Sequence, residues 1–189
     1  MKEIVERKVE FGTPWFELRA KRVAGENAPY YSLRMSDYVS VVALTTQQEL
    51  LLVKQYRPAI ERLTLELPSG HVEPNETPAN SARRELAEEC GFDAPHFEHL
   101  GTLLSDTGRN ENRLWGYLAL GARPIAGGFV PEPGVERIIL PCSQLQDLLR
   151  LGEFDHALHV AVLMLAVNRH GSQLLALKQP SRPAKVPNL

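Results

Sequence analysis

At 189 residues with 43% hydrophobic content, the chain can bury one substantial core and is short for two ordinary domains. Its 21 Lys and Arg against 23 Asp and Glu show none of the positive excess that binding to nucleic acid or anionic membrane usually leaves, so a small-molecule partner is expected. Cys90 and Cys142 lack metal-binding spacing and read as reduced structural thiols; with no signal-peptide or membrane-length apolar run, the expected localisation is cytoplasmic.

In chain order, "IVERKVEF", "WFELRAKRVA" and "PYYSLR" are short alternating or aromatic runs separated by Gly, Pro and Asn, which predict an antiparallel strand meander. "YVSVVALT" and "ELLLVKQY" predict a hairpin of more deeply buried strands, and "LTLELPSG" a short strand closed by Pro68 and Gly70. "TPANSARRELAEECG" then predicts a helix with both ends marked: Thr77 as N-cap, Pro78 at the first turn and Gly91 just past the C-terminus. "FEHLGTLLS" and "NRLWGYLAL" predict strands flanking a polar loop, and "AGGFVPEPG" a second loop before the apolar run "RIILP". Two helices are expected over 143–150 and 155–170, with Gly152 ending the first and Asp155 capping the second. The last dozen residues, with three prolines, predict a loose tail. Strands, a helix, strands and then helices predict an α+β layered fold with a mixed sheet.

The helix carries Glu85, Glu88 and Glu89. At 100° per residue, Ala79, Ala82, Leu86 and Cys90 form one apolar sector, with Glu85 and Glu89 bordering it and Glu88 further round. An uncompensated like-charged pair one turn apart costs a helix roughly 0.2–0.5 kcal/mol, and more where water is excluded. Two partners would offset this repulsion: Arg83 and Arg84 on a solvated face, or a hard divalent cation, whose preferred ligands are carboxylate oxygens. The composition of the helix is compatible with both.

From Gly70 the text reads "GHVEPNETPANSARRELAEECGF". Gly70, Glu76, Arg84, Glu85, Glu88, Glu89 and Gly91 stand at the spacing of the Nudix box, with Leu86 and Phe92 at its apolar positions. Seven fixed residues at about one in fifteen each bring chance agreement below roughly one in a million. The chain therefore resembles the Nudix hydrolases, and that resemblance implies an α/β/α sandwich preceded by the strand meander. It further implies that Glu85 and Glu89 bind Mg²⁺, or Mn²⁺, with Glu88 as a further ligand or part of the water-activating network. A backbone carbonyl of Ser69 or Gly70 would complete the metal turn, and Arg84 with Glu76 would orient the glutamates. In this family a glutamate on a later loop often acts as ligand or base; Glu136 is the first choice here and Glu132 the second.

"VKQYRPAIERLTLELPSG" is similar to the segment before the box in ADP-ribose and nucleoside diphosphate sugar pyrophosphatases. By that resemblance Arg57 faces a phosphate, Glu66 positions Arg57 or the sugar, and Trp15 is a candidate for stacking on the base. The implied organisation is a substrate-contacting, dimerising region at 1–37, a catalytic domain at 38–178 and a tail at 179–189, assembled as a homodimer. Where ADP-ribose hydrolases of the family commonly have a proline, this chain has Gly108 in the polar loop "SDTGRNENRLW", whose Arg109 and Glu111 are candidates to read a sugar or second phosphate. The expected activity is Mg²⁺-dependent cleavage of ADP-ribose or a related nucleoside diphosphate sugar into a nucleoside monophosphate and a sugar phosphate. The alternatives are a Nudix hydrolase of dinucleoside polyphosphates, capped RNA ends or nucleoside triphosphates, and a non-catalytic nucleotide-sugar-binding regulator.

Overall fold

The computed structural model describes residues 2–174; the expected tail at 179–189 and the end of the expected 38–178 domain lie outside them. The alternating N-terminal text forms β1 (Ile4–Gly12), β2 (Phe16–Val23) and β3 (Tyr30–Met35), an antiparallel sheet in that order. Val5, Val9 and Phe11 of β1 are exposed, so this sheet buries little apolar surface within one chain. Its attachment to the rest is specific. Leu33 forms a parallel bridge with Asn110, the Leu33 N–H donating to Arg109 O at 2.7 Å and the Glu111 N–H to Leu33 O at 2.9 Å.

The remaining strands are β4 (Tyr38–Thr45), β5 (Glu49–Arg57), β6 (Arg62–Glu66), β7 (Ser69–His71), β8 (Phe92–Asp93), β9 (His96–Leu104), β10 (Arg113–Pro124) and β11 (Val135–Pro141). They build one eight-stranded mixed sheet along the path β11-β5-β4-β10-β8. β4 runs parallel to β10, and the other pairings are antiparallel. A central strand covered on both faces must be apolar on both, and β4 is buried throughout from Val39 to Thr45.

Strand alternation divides these side chains between two layers. Val39, Val41 and Ala43 join Leu51, Leu86 and Cys90 beneath α1 (Pro78–Cys90), while Val42 and Leu44 join Leu52, Phe154 and Leu163 beneath α2 (Leu145–Leu151) and α3 (Ala157–Leu174). The result is the expected helix–sheet–helix sandwich.

The ends of α1 follow the sequence reading. Thr77 accepts from the Asn80 N–H at 3.3 Å, Pro78 opens the helix, and Gly91 adopts a left-handed φ of 69° to close it. The later helices differ from it. A 3₁₀ turn (Cys142–Gln144) precedes α2, and α3 starts at Ala157, because Asp155 pairs with Arg62 at 2.5 Å instead of capping the helix. His156 Nδ1 takes the capping role, accepting from the His159 N–H at 3.4 Å. No described helix is long and apolar enough to cross a membrane.

One irregularity in the sheet creates space. β4 and β5 pair only at Ala43–Leu51 and Leu44–Leu50, then part company. Beyond that point β7 takes over pairing with β4, and β6 with β5, so the link from Glu66 to Gly70 crosses the gap between them. A cleft of about 450 Å³ opens there.

Candidate active site

The helix stripe of α1 is where carboxylates meet the core. Ser81, Ala82, Glu85, Leu86, Glu89 and Cys90 are its buried residues, so both Glu85 and Glu89 have lost most of their water. The Ser69 N–H donates to Glu89 Oε2 at 2.8 Å, and Gly70 lies so close to the Glu85 carboxylate that a Cβ there would overlap it. The backbone of β7 is thereby wedged against both acids. Burial, then the charges of Glu85 and Glu132, push the Glu89 carboxyl up to about 8, against the pull of the Ser69 bond and Arg57. Burial raises Glu85 as well, with Arg84 opposing and Glu88 and Glu132 adding to the rise.

Arg84 ties the box loop to the helix. Its Nε and Nη2 donate to Glu76 at 3.2 and 3.0 Å, Nη2 also donates to His71 O at 3.0 Å, and Nη1 donates to Glu85 at 2.7 Å and Glu88 at 2.9 Å. The Ser81 hydroxyl completes the hold on Glu76 at 2.6 Å. Glu88, on the solvated side, has Arg84 as its partner.

These residues fit a divalent cation. Two desolvated carboxylates with their charges opposed by a third, and a glycine whose missing side chain leaves the approach open, form an all-oxygen donor set suited to a hard ion. Arg84 reaches only one oxygen of Glu85, and among the described residues Glu89 has no cationic hydrogen-bond partner.

Strand register sets the two candidate loop glutamates apart. On β11, Val135 packs on the α1 side and Arg137 donates to Cys90 O at 2.7 Å, whereas Ile138 packs on the α3 side. Glu136 shares the parity of Ile138 and so projects away from α1. Glu132, in the loop before the strand, is the one whose charge bears on Glu85 and Glu89. Its loop is anchored by Phe129, whose ring occupies the space a Cβ at Gly91 would need, and by Arg137 stacked on Phe129 and Phe92.

Arg57 and Glu66 line the cleft beside the box. Arg57 Nε and Nη2 grip the two oxygens of Glu66 at 2.7 Å each, and the Thr64 hydroxyl donates at 2.6 Å. Burial would raise the Glu66 carboxyl, but these donors and Arg57's charge hold it down at about 2. We expect Glu66→Gln to lose on the order of 2 kcal/mol at pH 7 in urea unfolding, less than for a wholly buried pair because Arg57 is 42% exposed. A folded-state value of about 2 against an ordinary 4.5 means this stability is complete above 4.5 and disappears as the pH falls through 2. Wild type and variant should converge on acidification, and equal stability at pH 7 would refute the ionic role.

Arg109 and Glu111 do not line the cleft; their neighbours Ser105, Asn110 and Asn112 do. Glu111 is held by Lys21 at 2.6 Å, Ser32 at 2.6 Å and Arg19 at 3.7 Å, because the loop pairs with β3 and turns this side chain onto the N-terminal sheet. Arg109 lies over the Tyr30 ring, whose hydroxyl donates to Gly108 O. Trp15 is exposed beside His71, ring centroids 6.4 Å apart, in a hollow that shares Met35 and Ser36 with the main cleft. Tyr38, His156 and His159 also line the cleft and were not singled out from the sequence. The i,i+3 spacing in "HALH" was the available signal for the two histidines.

The NUDIX domain family matches residues 36–153, which include the box and most of the cleft's lining residues. The chain belongs to the Nudix hydrolase family. Among its relatives, a methanol dehydrogenase activator from Bacillus methanolicus is 31% identical over 144 residues, 75% of this chain and 78% of that one. An ADP-sugar pyrophosphatase from Mus musculus is 32% identical over 167 residues, 82% of this chain and 74% of that one. The crystal structure of an ADP compounds hydrolase shares the Nudix fold with a TM-score of 0.76 at 22% identity, covering 91% of this chain and 95% of that one.

Proposed function

We propose that this Nudix hydrolase is a Mg²⁺-dependent pyrophosphatase of ADP-ribose or a related nucleoside diphosphate sugar. Water adds to one phosphorus, the bridging P–O bond breaks, and a nucleoside monophosphate and a sugar phosphate leave. The observation that carries this reading is the burial of Glu85 and Glu89 one turn apart on α1, wedged against β7, where two carboxylates would repel without a cation to offset them. The resemblance to the mouse ADP-sugar pyrophosphatase over most of both chains supports the substrate class.

Glu85 and Glu89 would hold Mg²⁺, with Glu88 and a Ser69 or Gly70 carbonyl as further oxygen donors; when bound, the ion neutralises phosphate oxygens and lowers the pKa of the attacking water. Glu132, whose charge bears on the pair, would receive the water's proton on a carboxylate oxygen. Arg57 keeps guanidinium N–H groups free while Glu66 fixes its plane, so it is pre-set to grip a phosphate. Arg84 and Glu76 keep the glutamates aligned without touching substrate. Trp15 offers an open aromatic face to a base at the mouth of the site.

A panel of nucleoside diphosphate sugars, dinucleoside polyphosphates and nucleoside triphosphates, run with Mg²⁺ and with Mn²⁺, tests the reading. The nucleotide sugars should lead in kcat/KM by about tenfold or more. Release of no phosphate monoester from any of them would sink the proposal.

A further inference from the structure

The cleft extends past Arg57 to the first turn of α3, where His159 is 1% exposed yet lines the opening. Its orientation is over-determined. The Leu67 N–H donates to His159 Nδ1 at 3.1 Å, and His156 stacks on the ring at 3.8 Å between centroids, 16° from parallel. Because Nδ1 is an acceptor there, the neutral ring must carry its hydrogen on Nε2. Nε2 has no hydrogen-bond partner among the described residues, and it is not among the side-chain atoms sealed from solvent without one. Burial first, then His156, with Glu66 opposing, hold the ring's pKa down at about 3, so the proton arrangement set by Leu67 persists at working pH.

The surroundings of that N–H define what it can meet. Ser36, Tyr38, Ser105, Asn110 and Asn112 line the same cleft as neutral hydrogen-bonding groups, and burial keeps the Tyr38 hydroxyl protonated up to about 12. Arg57 and Glu66 are the Lys, Arg, Asp or Glu side chains on its wall, and they neutralise each other. Such a wall lacks the cations a further phosphate would demand, and is rich in the neutral donors and acceptors that match hydroxyls. A cation is a poor alternative occupant. Although Glu66, His156 and His159 hold ligand atoms within 4.8 Å of one another, Arg57 occupies both Glu66 oxygens and Leu67 occupies His159 Nδ1.

We propose that His159 is a specificity-determining residue whose Nε2–H donates to a hydroxyl of a sugar joined to the pyrophosphate. The inference rests on the pyrophosphatase reading above and adds the group that reads the far moiety. His159 contacts the part of the substrate that does not react, so it tunes binding of the sugar and takes no part in proton transfer.

Two variants separate this role from a structural one. In His159→Asn, the shorter amide can still accept from Leu67 but does not reach the cleft. In His159→Gln, the amide can reach the Nε2 position but gives up the Leu67 bond. Each variant and the wild type is assayed with Mg²⁺ on a nucleoside diphosphate sugar and on the methyl ester of the same nucleoside diphosphate, which keeps the nucleoside but lacks the second sugar and its hydroxyls. His159→Asn should lower kcat/KM for the sugar about tenfold, chiefly through KM, and leave the methyl ester within about twofold of wild type. His159→Gln should retain most of the preference for the sugar. Equal losses on both substrates in His159→Asn, or an unchanged ratio, overturn the proposal alone. A wild-type chain that cleaves neither substrate overturns the pyrophosphatase reading, and this one with it.

Discussion

Glu89→Gln is expected to reduce kcat about a thousandfold in the presence of Mg²⁺ while making the metal-free protein more resistant to heat at alkaline pH. Both effects come from the same carboxylate. Burial, and behind it the charges of Glu85 and Glu132, raise Glu89 to about 8 from an ordinary 4.5. A group raised on folding contributes its stability in full below 4.5 and loses it as the pH climbs through 8, so the metal-free wild type weakens across that interval. Glutamine keeps the size and can still accept the Ser69 N–H, but has no charge to bury. The variant should therefore exceed the metal-free wild type by on the order of 2 kcal/mol at about pH 8.5 and show little advantage at about pH 5.

The same linkage governs the ion. A cation binds the deprotonated carboxylate, so Mg²⁺ should raise the wild-type Tm more at about pH 8.5 than at about pH 6, and raise that of the variant little at either. Scanning calorimetry with and without Mg²⁺, beside steady-state kinetics, reads all of these. Wild-type turnover by Glu89→Gln, or a metal-free difference independent of pH, would show that Glu89 is not the ligand.

Gly70→Ala is the second large effect. Gly70 is extended backbone within β7 and needs no unusual φ, so alanine brings little conformational strain of its own. The added Cβ would instead fall on the Glu85 carboxylate, the free end of a flexible side chain. Glu85 can swing away cheaply, and doing so removes it from the position it shares with Glu89. The expected result is a loss of about a hundredfold in kcat/KM and weaker Mg²⁺ binding by calorimetric titration, with stability reduced by only about 1 kcal/mol. Gly12→Ala is the control, since nothing lies within 4 Å of a Cβ there. If Gly70→Ala retained full activity, the close approach of β7 to Glu85 would have no catalytic meaning.

What could be read from the sequence was local. The caps of α1 and the order Glu85, Glu88, Glu89 are set within one helix, so 3.6-residue periodicity distinguishes two inward carboxylates from one outward. The N-terminal strands declared themselves by alternation, and the bulk of the sandwich by the sequence of strand and helix signals. The features that escaped depend on partners far along the chain. Which way Glu136 faces is decided by the register of β11 against β5, 82 residues apart in sequence at Glu136 and Lys54. Glu111 looked free to meet substrate because Lys21 and Ser32 are remote in the text. His159 was hidden by Asp155, a good capping residue that is recruited by Arg62 instead.

The loop from Ser105 to Asn112 belongs to two structures at once. Its backbone is stitched to Leu33 of the N-terminal sheet, while Ser105, Asn110 and Asn112 form part of the cleft wall, with Met35 and Ser36 beside them. A boundary drawn at residue 37 therefore divides the text but runs along the wall of the cleft. The first strands are not an appendage that could be exchanged like a tag: they are the scaffold against which one side of the cleft is cast, and changes in their pairing would reshape the cleft before they reached the core.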